Sequence, residues 1–411
     1  MPGLPPIPAI YDQIALFSCP PTYSRTVSTL SSLCLTSKFL HRIAEPHLYT
    51  HLMFFDPHHT NLACQTILRR PQLGLHVRTF CHHPEPRRFP HLPQAFWLLI
   101  SKVLCCMKNL DCLMLSDDAT FSHTWVLLAP PDSGCDGLPS QIRDIKLKMA
   151  WDNNVLKFIQ HQSKVNQFRV YSPFDDANAL TPLLDPPLVP LSLQVFDGYF
   201  PAIWYFCQCP LTHAQIVVPS IPPGPLPGDT LLPLFQRLAS AHKTLRSLSL
   251  LDLPPTVAPD VVNAAAQYLP ALRHLGVLAL PIRDRHTFLR PLMYLHDLTS
   301  IELDLSSWST YVAAASRTTA HAFSPAYTPM YHPSSAALRA LACELKTFCP
   351  TLVSVSLWVG PDATTRVRWL YDLANNTWHN QVVEGGNGAG LNPTSSGLWR
   401  SMGAINSVSN R

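Results

Sequence analysis

Charged residues are scarce in this chain of 411 residues, and their scarcity excludes several classes of protein. Only 14% of the residues are Asp, Glu, Lys or Arg, and the net charge is +4 with histidine neutral. An excess this small and scattered does not form the basic face that nucleic acids or anionic membranes require. We therefore expect no nucleic-acid partner and no membrane partner.

Long apolar runs and an organised cysteine pattern are also missing. The most apolar helical segment, Phe96–Met107, contains Lys102 and is too short to cross a bilayer. The start of the chain, "MPGLPPIPAI", has neither the basic residues nor the unbroken apolar stretch of a signal peptide. The 12 cysteines, scattered from Cys19 to Cys349, do not form a disulfide framework. These features predict an intracellular protein of the cytoplasm, the nucleus or both.

Glycine is rare compared with proline, at 15 residues against 41. Because proline interrupts helices and strands, the regular elements should be short. Hydrophobic residues nevertheless make up 47% of the chain, which is enough for a large buried core.

Motifs for metal binding and catalysis are lacking as well. The stretch "CHHPEPRRFPH" brings Cys81, His82, His83 and His91 close together, but without the paired spacings of a zinc site. The glycine-rich "EGGNGAG" is not followed by the Lys-Ser/Thr of a phosphate-binding loop, and no Gly-x-Ser-x-Gly elbow occurs. We expect no metal, no cofactor and no enzymatic activity.

The first 52 residues predict a small helical segment. Ser37 or Thr36 can cap its third helix, and Pro46 fits the first turn of a further short helix. The apolar residues at helical spacing are Ile10, Ile14 and Phe17, then Val27, Leu30, Leu33 and Cys34, then Leu40, Ile43 and Ala44. A unit of this size buries too little apolar surface to be stable alone, so we expect it to pack against a partner.

From about Val77 onward, the motif apolar-x-x-apolar-x-apolar repeats. Neighbouring copies begin at Leu245, Leu272 and Leu298, and the intervening "PDVVNAAAQYLPAL" predicts an amphipathic helix. Copies also occur at Leu110/Leu113/Leu115, Ile142/Ile145/Leu147, Val165/Phe168/Val170 and Leu352/Val355/Leu357, with weaker ones near Phe196 and Ile216. One strand and one helix per repeat of this length indicate a leucine-rich-repeat solenoid.

The predicted fold class is α/β, with an N-terminal three-helix domain followed by an irregular solenoid. Its parallel strands should form the concave face and its helices the convex face. The predicted divisions are the helical domain at 1–52, a connecting segment at 53–76, the repeats at 77–379 with a flexible insertion at about 306–335, and a disordered Gly/Ser/Asn-rich tail at 380–411.

The chain resembles the F-box/leucine-rich-repeat proteins of the divergent fungal type. The stretch "SLCLTSKFLHRIAEPHLYTHL" is similar to the second half of an F-box, and "PAIYDQIALFS" to the first half. The resemblance implies a substrate-recognition adaptor of an SCF-type cullin ubiquitin ligase, acting in ubiquitin-dependent degradation. The F-box would dock on a Skp-family protein, which recruits the cullin, while the repeats hold an unknown protein substrate. The implied Skp-family contacts are Pro8, Ile10, Ile14, Leu35, Lys38, Leu40, Ile43, Pro46, Leu48 and Tyr49.

One departure from the F-box pattern leaves an alternative open. The family's Glu before the first isoleucine is Ala9 in this chain. The alternative is a leucine-rich-repeat scaffold for protein–protein interaction, with a vestigial F-box and no role in ubiquitination.

Residues between the apolar positions of each strand should face the concave surface, because side chains alternate along a strand. Arg169, Tyr171 and Trp358 are the expected anchors for a substrate, since aromatic residues and Arg dominate interfaces. Gly276 and Leu278 would share this face. The full set of candidate contacts is Met114, Lys146, Lys148, Arg169, Tyr171, Glu302, Asp304 and Trp358. The simpler alternative is that the charged members are merely solvated.

Overall fold

A computed structural model describes most of the chain as mixed α/β, with a mostly parallel sheet that is not closed. It forms two compact units, one built mainly from residues up to 180 and the other mainly from residues 194–400. The described residues are 23–84, 88–89, 91–117, 123–128, 138–171, 192–218, 228–241, 243–251, 253–281, 284–305, 335–359 and 365–383.

The first unit contains two N-terminal helices and five parallel strands paired in chain order. Short 3-10 helices cover Pro71–His76 and Thr124–Leu127. The other elements are α1 (Tyr23–Thr36), α2 (Lys38–Thr50), β1 (His51–Phe54), α3 (Pro57–Arg69), β2 (Thr79–His82), α4 (Gln94–Leu104), β3 (Cys112–Ser116), β4 (Asp144–Lys148), α5 (Asn153–Gln160) and β5 (Gln167–Tyr171).

The second unit continues the alternation of strand and helix and ends in a hairpin. Strands β6 to β11 are parallel, and β12 and β13 follow antiparallel. Short 3-10 helices cover Ala239–Ala241 and Arg290–Tyr294. The other elements are β6 (Val195–Tyr199), α6 (Phe200–Ile203), β7 (His213–Val217), α7 (Gly228–Leu238), β8 (Ser247–Leu251), α8 (Ala258–Tyr268), β9 (His274–Ala279), α9 (Arg285–Leu289), β10 (Ser300–Asp304), α10 (Ser335–Phe348), β11 (Ser354–Val359), β12 (Thr365–Asp372) and β13 (Thr377–Val383).

The repeated apolar motif forms the core side of the strands. Leu113, Ile145 and Phe168 are register partners on three neighbouring strands, and all are fully buried. Ile301 and Val355 pair in the same way in the second unit. The predicted strands and their mostly parallel pairing are therefore confirmed.

Side-chain caps fix where several helices begin. The Asp152 carboxylate accepts hydrogen bonds from the backbone N–H groups of Asn154 and Val155 at 2.9 and 3.1 Å. Asp56 accepts from the His58 N–H at 2.7 Å, and Pro57 follows it in the first turn of α3. Because the first N–H groups of a helix have no partner inside it, these carboxylates set the start of each helix.

The structure differs from the predicted boundaries at three places. Strand β1 and helix α3 occupy much of the predicted connecting segment 53–76. Because β1 pairs with β2, the sheet begins before the predicted start of the repeats. Pro46 lies inside α2 rather than at the start of a new helix. Strand β13 includes residues 380–383 of the predicted tail. Residues 306–334 of the predicted insertion and the rest of the tail lie outside the described residues.

Candidate functional site

The N-terminal helix pair has a very small core of its own. Leu30 and Ala44 are its fully buried apolar residues, at 3% and 1% exposure. Packed against them and only partly buried are Leu33, Cys34, Ile43 and Leu48. So little buried surface contributes weakly to stability.

Two large apolar side chains are exposed where α1 meets α2. Leu35 is 88% exposed and Phe39 is 43% exposed, and we call these two residues the junction patch. Between them, the Ser37 hydroxyl accepts a hydrogen bond from the Leu40 N–H at 3.1 Å and caps α2, as the sequence predicts. The cap holds the turn between the helices and thereby presents the junction patch on the surface.

The predicted Skp-family contacts fall into three groups. Leu35 and Lys38 are exposed, and a second group is half-buried: Leu40, Ile43, Pro46, Leu48 and Tyr49. Burial raises the pKa of the Tyr49 hydroxyl. The third group, Pro8, Ile10 and Ile14, lies outside the described residues. Phe39 was not among the predicted contacts, although its position as an aromatic residue beside Lys38 in "SKFLH" could have indicated it.

A bidentate ion pair attaches α2 to the rest of the first unit. Arg70 Nη1 and Nη2 donate to Glu45 Oε1 and Oε2 at 2.6 and 2.7 Å. The hydrogen bonds from Arg70 hold the pKa of the Glu45 carboxyl below its usual value, against the opposing effect of burial. Arg70 directly follows α3, so the pair fixes α2 against the end of that helix.

In the first unit, Met114, Lys146 and Arg169 are register partners on three neighbouring strands. Lys146 is not a freely solvated cation, because its Nζ lies 3.0 Å from Asp144 Oδ2. Arg169 is only 5% exposed, whereas Met114 is half-buried. Lys148, also half-buried, pairs in register with Tyr171, whose side chain lies outside the described part of the chain.

In the second unit, Glu302 and Trp358 are bound to each other. The Trp358 indole Nε1 donates to Glu302 Oε1 at 2.7 Å, and the two side chains are 3% and 0% exposed respectively. Glu302 is therefore a buried carboxylate rather than a solvated surface charge. Asp304 is half-buried and is the register partner of Trp358.

A row of His and Ser residues on the strand face that contains Glu302 was not identified from the sequence. His274 joins this row to Glu302, since its Nδ1 lies 3.1 Å from Ser300 Oγ and its Nε2 lies 4.0 Å from Glu302 Oε2. The row consists of register partners on five strands: His213, Ser247, His274, Ser300 and Ser354. Each of them is the first residue of its strand, and His274 and Ser300 lie two residues before the predicted outward positions Gly276 and Glu302, so alignment of the repeats could have found them.

Gly276 allows this polar face to pack tightly. A Cβ at Gly276 would lie 2.5 Å from Ser249 Oγ and 2.6 Å from His274 Nε2. Both distances are shorter than van der Waals contact, so the glycine leaves the space that the His274 ring occupies. Farther along the second unit, the buried Gln215 Nε2 on β7 donates to Asp197 Oδ1 on β6 at 3.0 Å.

No protein-family model matches the chain, and no curated protein sequence matches it either. Within the described ranges, no helix is long and apolar enough to cross a membrane. The same part of the chain contains no group of three or more His, Cys, Asp or Glu residues placed to hold a metal ion.

Proposed function

We propose that this protein is the substrate-recognition adaptor of an SCF-type cullin ubiquitin ligase. In this proposal, the N-terminal helices form an F-box that docks on a Skp-family protein. The following strands and helices form an irregular leucine-rich-repeat solenoid that holds a protein substrate on its concave strand face. The adaptor performs no chemistry and acts by keeping the substrate close to the ubiquitin-charged enzyme. It works inside the cell, in the cytoplasm, the nucleus or both.

The observation that carries the proposal is that the helix pair exposes large apolar side chains although its own described core is small. Among the described side chains of the pair, Leu30 and Ala44 are the fully buried apolar ones, while Leu35 and Phe39 of the junction patch are exposed to solvent. Large exposed apolar side chains next to a minimal core favour a surface that a partner covers. The repeated parallel strands with intervening helices support the solenoid in the same way.

The docking half is tested by measuring the affinity of the full chain for a purified Skp-family adaptor. Leu35→Asp should weaken binding at least tenfold, because it places a carboxylate in an apolar contact. Leu62→Asp is the matched control, since Leu62 is 48% exposed on α3 and outside the junction patch. Equal affinities for native protein and Leu35→Asp would contradict docking through this patch.

The substrate half is tested by charge reversal on the predicted concave face. Lys148→Glu should reduce recovery of a ubiquitination substrate, because Lys148 is half-buried on the strand face. Lys157→Glu makes the same charge change on the exposed side of α5 and should leave recovery unchanged. Recovery that falls equally in both variants would argue against the strand face. Arg169 is less suitable for this test because its burial couples any replacement to stability.

The alternative function is an interaction scaffold with a vestigial F-box, which Ala9 favours. A folded chain that binds protein partners through the strand face but not a Skp-family adaptor would support the scaffold over the ligase adaptor.

A further inference from the structure

An open cavity of about 300 Å³ lies in the second unit between α10 and the β12–β13 hairpin. Its helix side is formed by Arg339, Cys343 and Lys346, which are four and three residues apart and therefore share one face of α10. Its hairpin side includes Tyr371 and Trp378, whose ring centres are 5.1 Å apart in an edge-to-face arrangement. The volume is at the lower end of that of small-molecule sites.

The described residues that line the cavity include cationic groups and no carboxylate. Lys346 is a fixed charge: its Nζ donates to the carbonyls of Pro350 and Leu352 at 3.0 and 2.8 Å and lies 3.8 Å from the centre of the Tyr371 ring. Burial lowers the pKa of this amine from its usual value. Arg339 is exposed on the same helix face.

Nearby carboxylates are engaged elsewhere. Glu344, the neighbour of Cys343 in sequence, forms an ion pair with Arg285. Asp372 accepts hydrogen bonds from the Ala374 N–H and the Asn375 Nδ2, at 2.8 and 2.7 Å, within the hairpin turn. Neither of these acids is among the described residues that line the cavity, so the described lining contains two cationic side chains and no acidic one.

We propose that this cavity binds a compact organic oxyanion, a carboxylate or a phosphate carried on a small aromatic or apolar body. The Arg339 guanidinium makes the direct contact, because its planar fork fits two oxygens at once. Lys346, held by the two carbonyls and the Tyr371 ring, adds a second positive charge in the cavity wall, and the Trp378 ring provides an apolar surface for the body of the ligand. This site is independent of the proposed adaptor function.

The test is calorimetric titration of the full-length protein with phenyl phosphate and, separately, with benzoate. Saturable one-to-one binding of either anion is expected, and the stronger of the two distinguishes a phosphate site from a carboxylate site. Benzyl alcohol, which has the aromatic body without the charge, should bind at least tenfold more weakly. Absence of saturable binding by both anions, or equal binding of the alcohol, would overturn the proposal.

Variants assign the contact to residues. Arg339→Gln should weaken anion binding at least fivefold, and Arg339→Lys should restore only part of it, because lysine lacks the bidentate fork. Lys243→Gln removes an exposed cation that does not line the cavity and should bind like the native protein. Unfolding midpoints of these variants should match the native value, since both side chains are exposed. Unchanged affinity in Arg339→Gln would contradict the assignment.

A second measurement uses the exposed Cys343 thiol in the cavity wall. Saturating phenyl phosphate should slow alkylation of Cys343 by iodoacetamide at least threefold, as followed by peptide mass spectrometry. Alkylation of Cys106, a half-buried thiol of the first unit, is the internal control and should not change. Binding without protection of Cys343 would place the anion elsewhere.

Discussion

At the scale of single residues, the Glu302–Trp358 hydrogen bond shows how a strand face can contain a buried carboxyl group. Glu302 is fully buried, and its Oε1 accepts from the Trp358 indole at 2.7 Å. A buried carboxylate without donors would be strongly destabilising, so the indole N–H offsets part of the cost of desolvation. Trp358 therefore contributes to stability whether or not it also contacts a substrate.

Replacing Trp358 by Phe should lower the free energy of unfolding by about 1–3 kcal/mol more than Trp369→Phe does, because it removes the indole donor from the buried Glu302 Oε1. Trp369→Phe is the matched control. Trp369 is also 3% exposed, and its buried Nε1 has no hydrogen-bond partner among the described residues. Urea denaturation measures both variants, and equal losses would show that the indole hydrogen bond contributes nothing.

His82 is the residue for which we predict a clear pH effect on stability. The Thr60 hydroxyl donates to the Asp56 carbonyl at 3.0 Å, so His82 Nδ1 donates to Thr60 Oγ1, also at 3.0 Å. Burial, with a smaller effect from His83, lowers the pKa of His82 from 6.5 to about 4. The fold therefore favours the neutral ring. The free energy of unfolding decreases as the pH falls from 6.5 toward 4, because His82 binds a proton in the unfolded chain before it does so in the fold.

His82→Gln keeps a hydrogen-bond donor and removes this titration. Between pH 7 and pH 4.5, the native protein should lose about 2 kcal/mol more unfolding free energy than the variant. Denaturant titrations at the two pH values check this, with the exposed His76→Gln as control. A variant that loses as much stability as the native protein would show that His82 is not the group responsible.

The sequence predicted which face of a strand a residue lies on, but not how deeply it is buried. Alternation placed Glu302 and Trp358 on the side opposite Ile301 and Leu303, and they pair in register with neighbours on that side. Their burial depends on a hydrogen bond between residues 56 positions apart. Such a contact depends on which residues of neighbouring strands pair with each other. The spacing of apolar residues along one strand does not give that information.

At the scale of secondary-structure elements, α2 is held to the first unit by the Glu45–Arg70 ion pair. Glu45→Gln should speed amide hydrogen exchange in α2 and cost at most about 1 kcal/mol, since the Arg70 side chain is 44% exposed. The effect should be present at neutral pH and disappear as the pH falls through the lowered pKa of Glu45. Glu344→Gln, which breaks the ion pair with Arg285 in the second unit, is the control and should leave exchange in α2 unchanged.

The repeated motif predicted the strands well because their core residues obey a simple spacing. It failed locally at β9, where the sequence placed Leu278 with Gly276 on the outward face. In the structure, Ile301 pairs with Leu275 but Leu303 pairs with Leu278, so β9 contains one extra residue and Leu278 is buried on the core side. A β-bulge of this kind is set by strand pairing and leaves no mark in the apolar spacing.

The end of the second unit was not predicted either. Strands β12 and β13 form an antiparallel hairpin on β11 instead of another strand–helix repeat. The alternation in "TRVRWLYD" and "TWHNQVV" has the period of a strand, but without the preceding apolar motif it did not fit the repeat. A terminal hairpin that pairs with the last parallel strand covers its otherwise open edge.

At the scale of the whole molecule, the N-terminal helix pair and the repeats differ in how they bury their apolar residues. The described part of the helix pair α1–α2 has a small core of its own beside the exposed junction patch, whereas the strands that follow bury the apolar positions of their repeated motif. This contrast leads to the central claim, that the N-terminal helices bind a Skp-family protein and the repeats present a substrate. The anion site beside α10 is a separate property that does not depend on this claim.

The most direct test of the central claim is the mass of the complex formed by the 45.8 kDa full-length chain with a Skp-family adaptor, measured by size-exclusion chromatography with light scattering. We predict a stable one-to-one complex for the native chain and for Leu62→Asp, and its loss for Leu35→Asp, which should remain folded and monodisperse. A folded native chain that elutes apart from the adaptor at micromolar concentrations would contradict docking on a Skp-family protein and leave the repeats as a scaffold without a ligase.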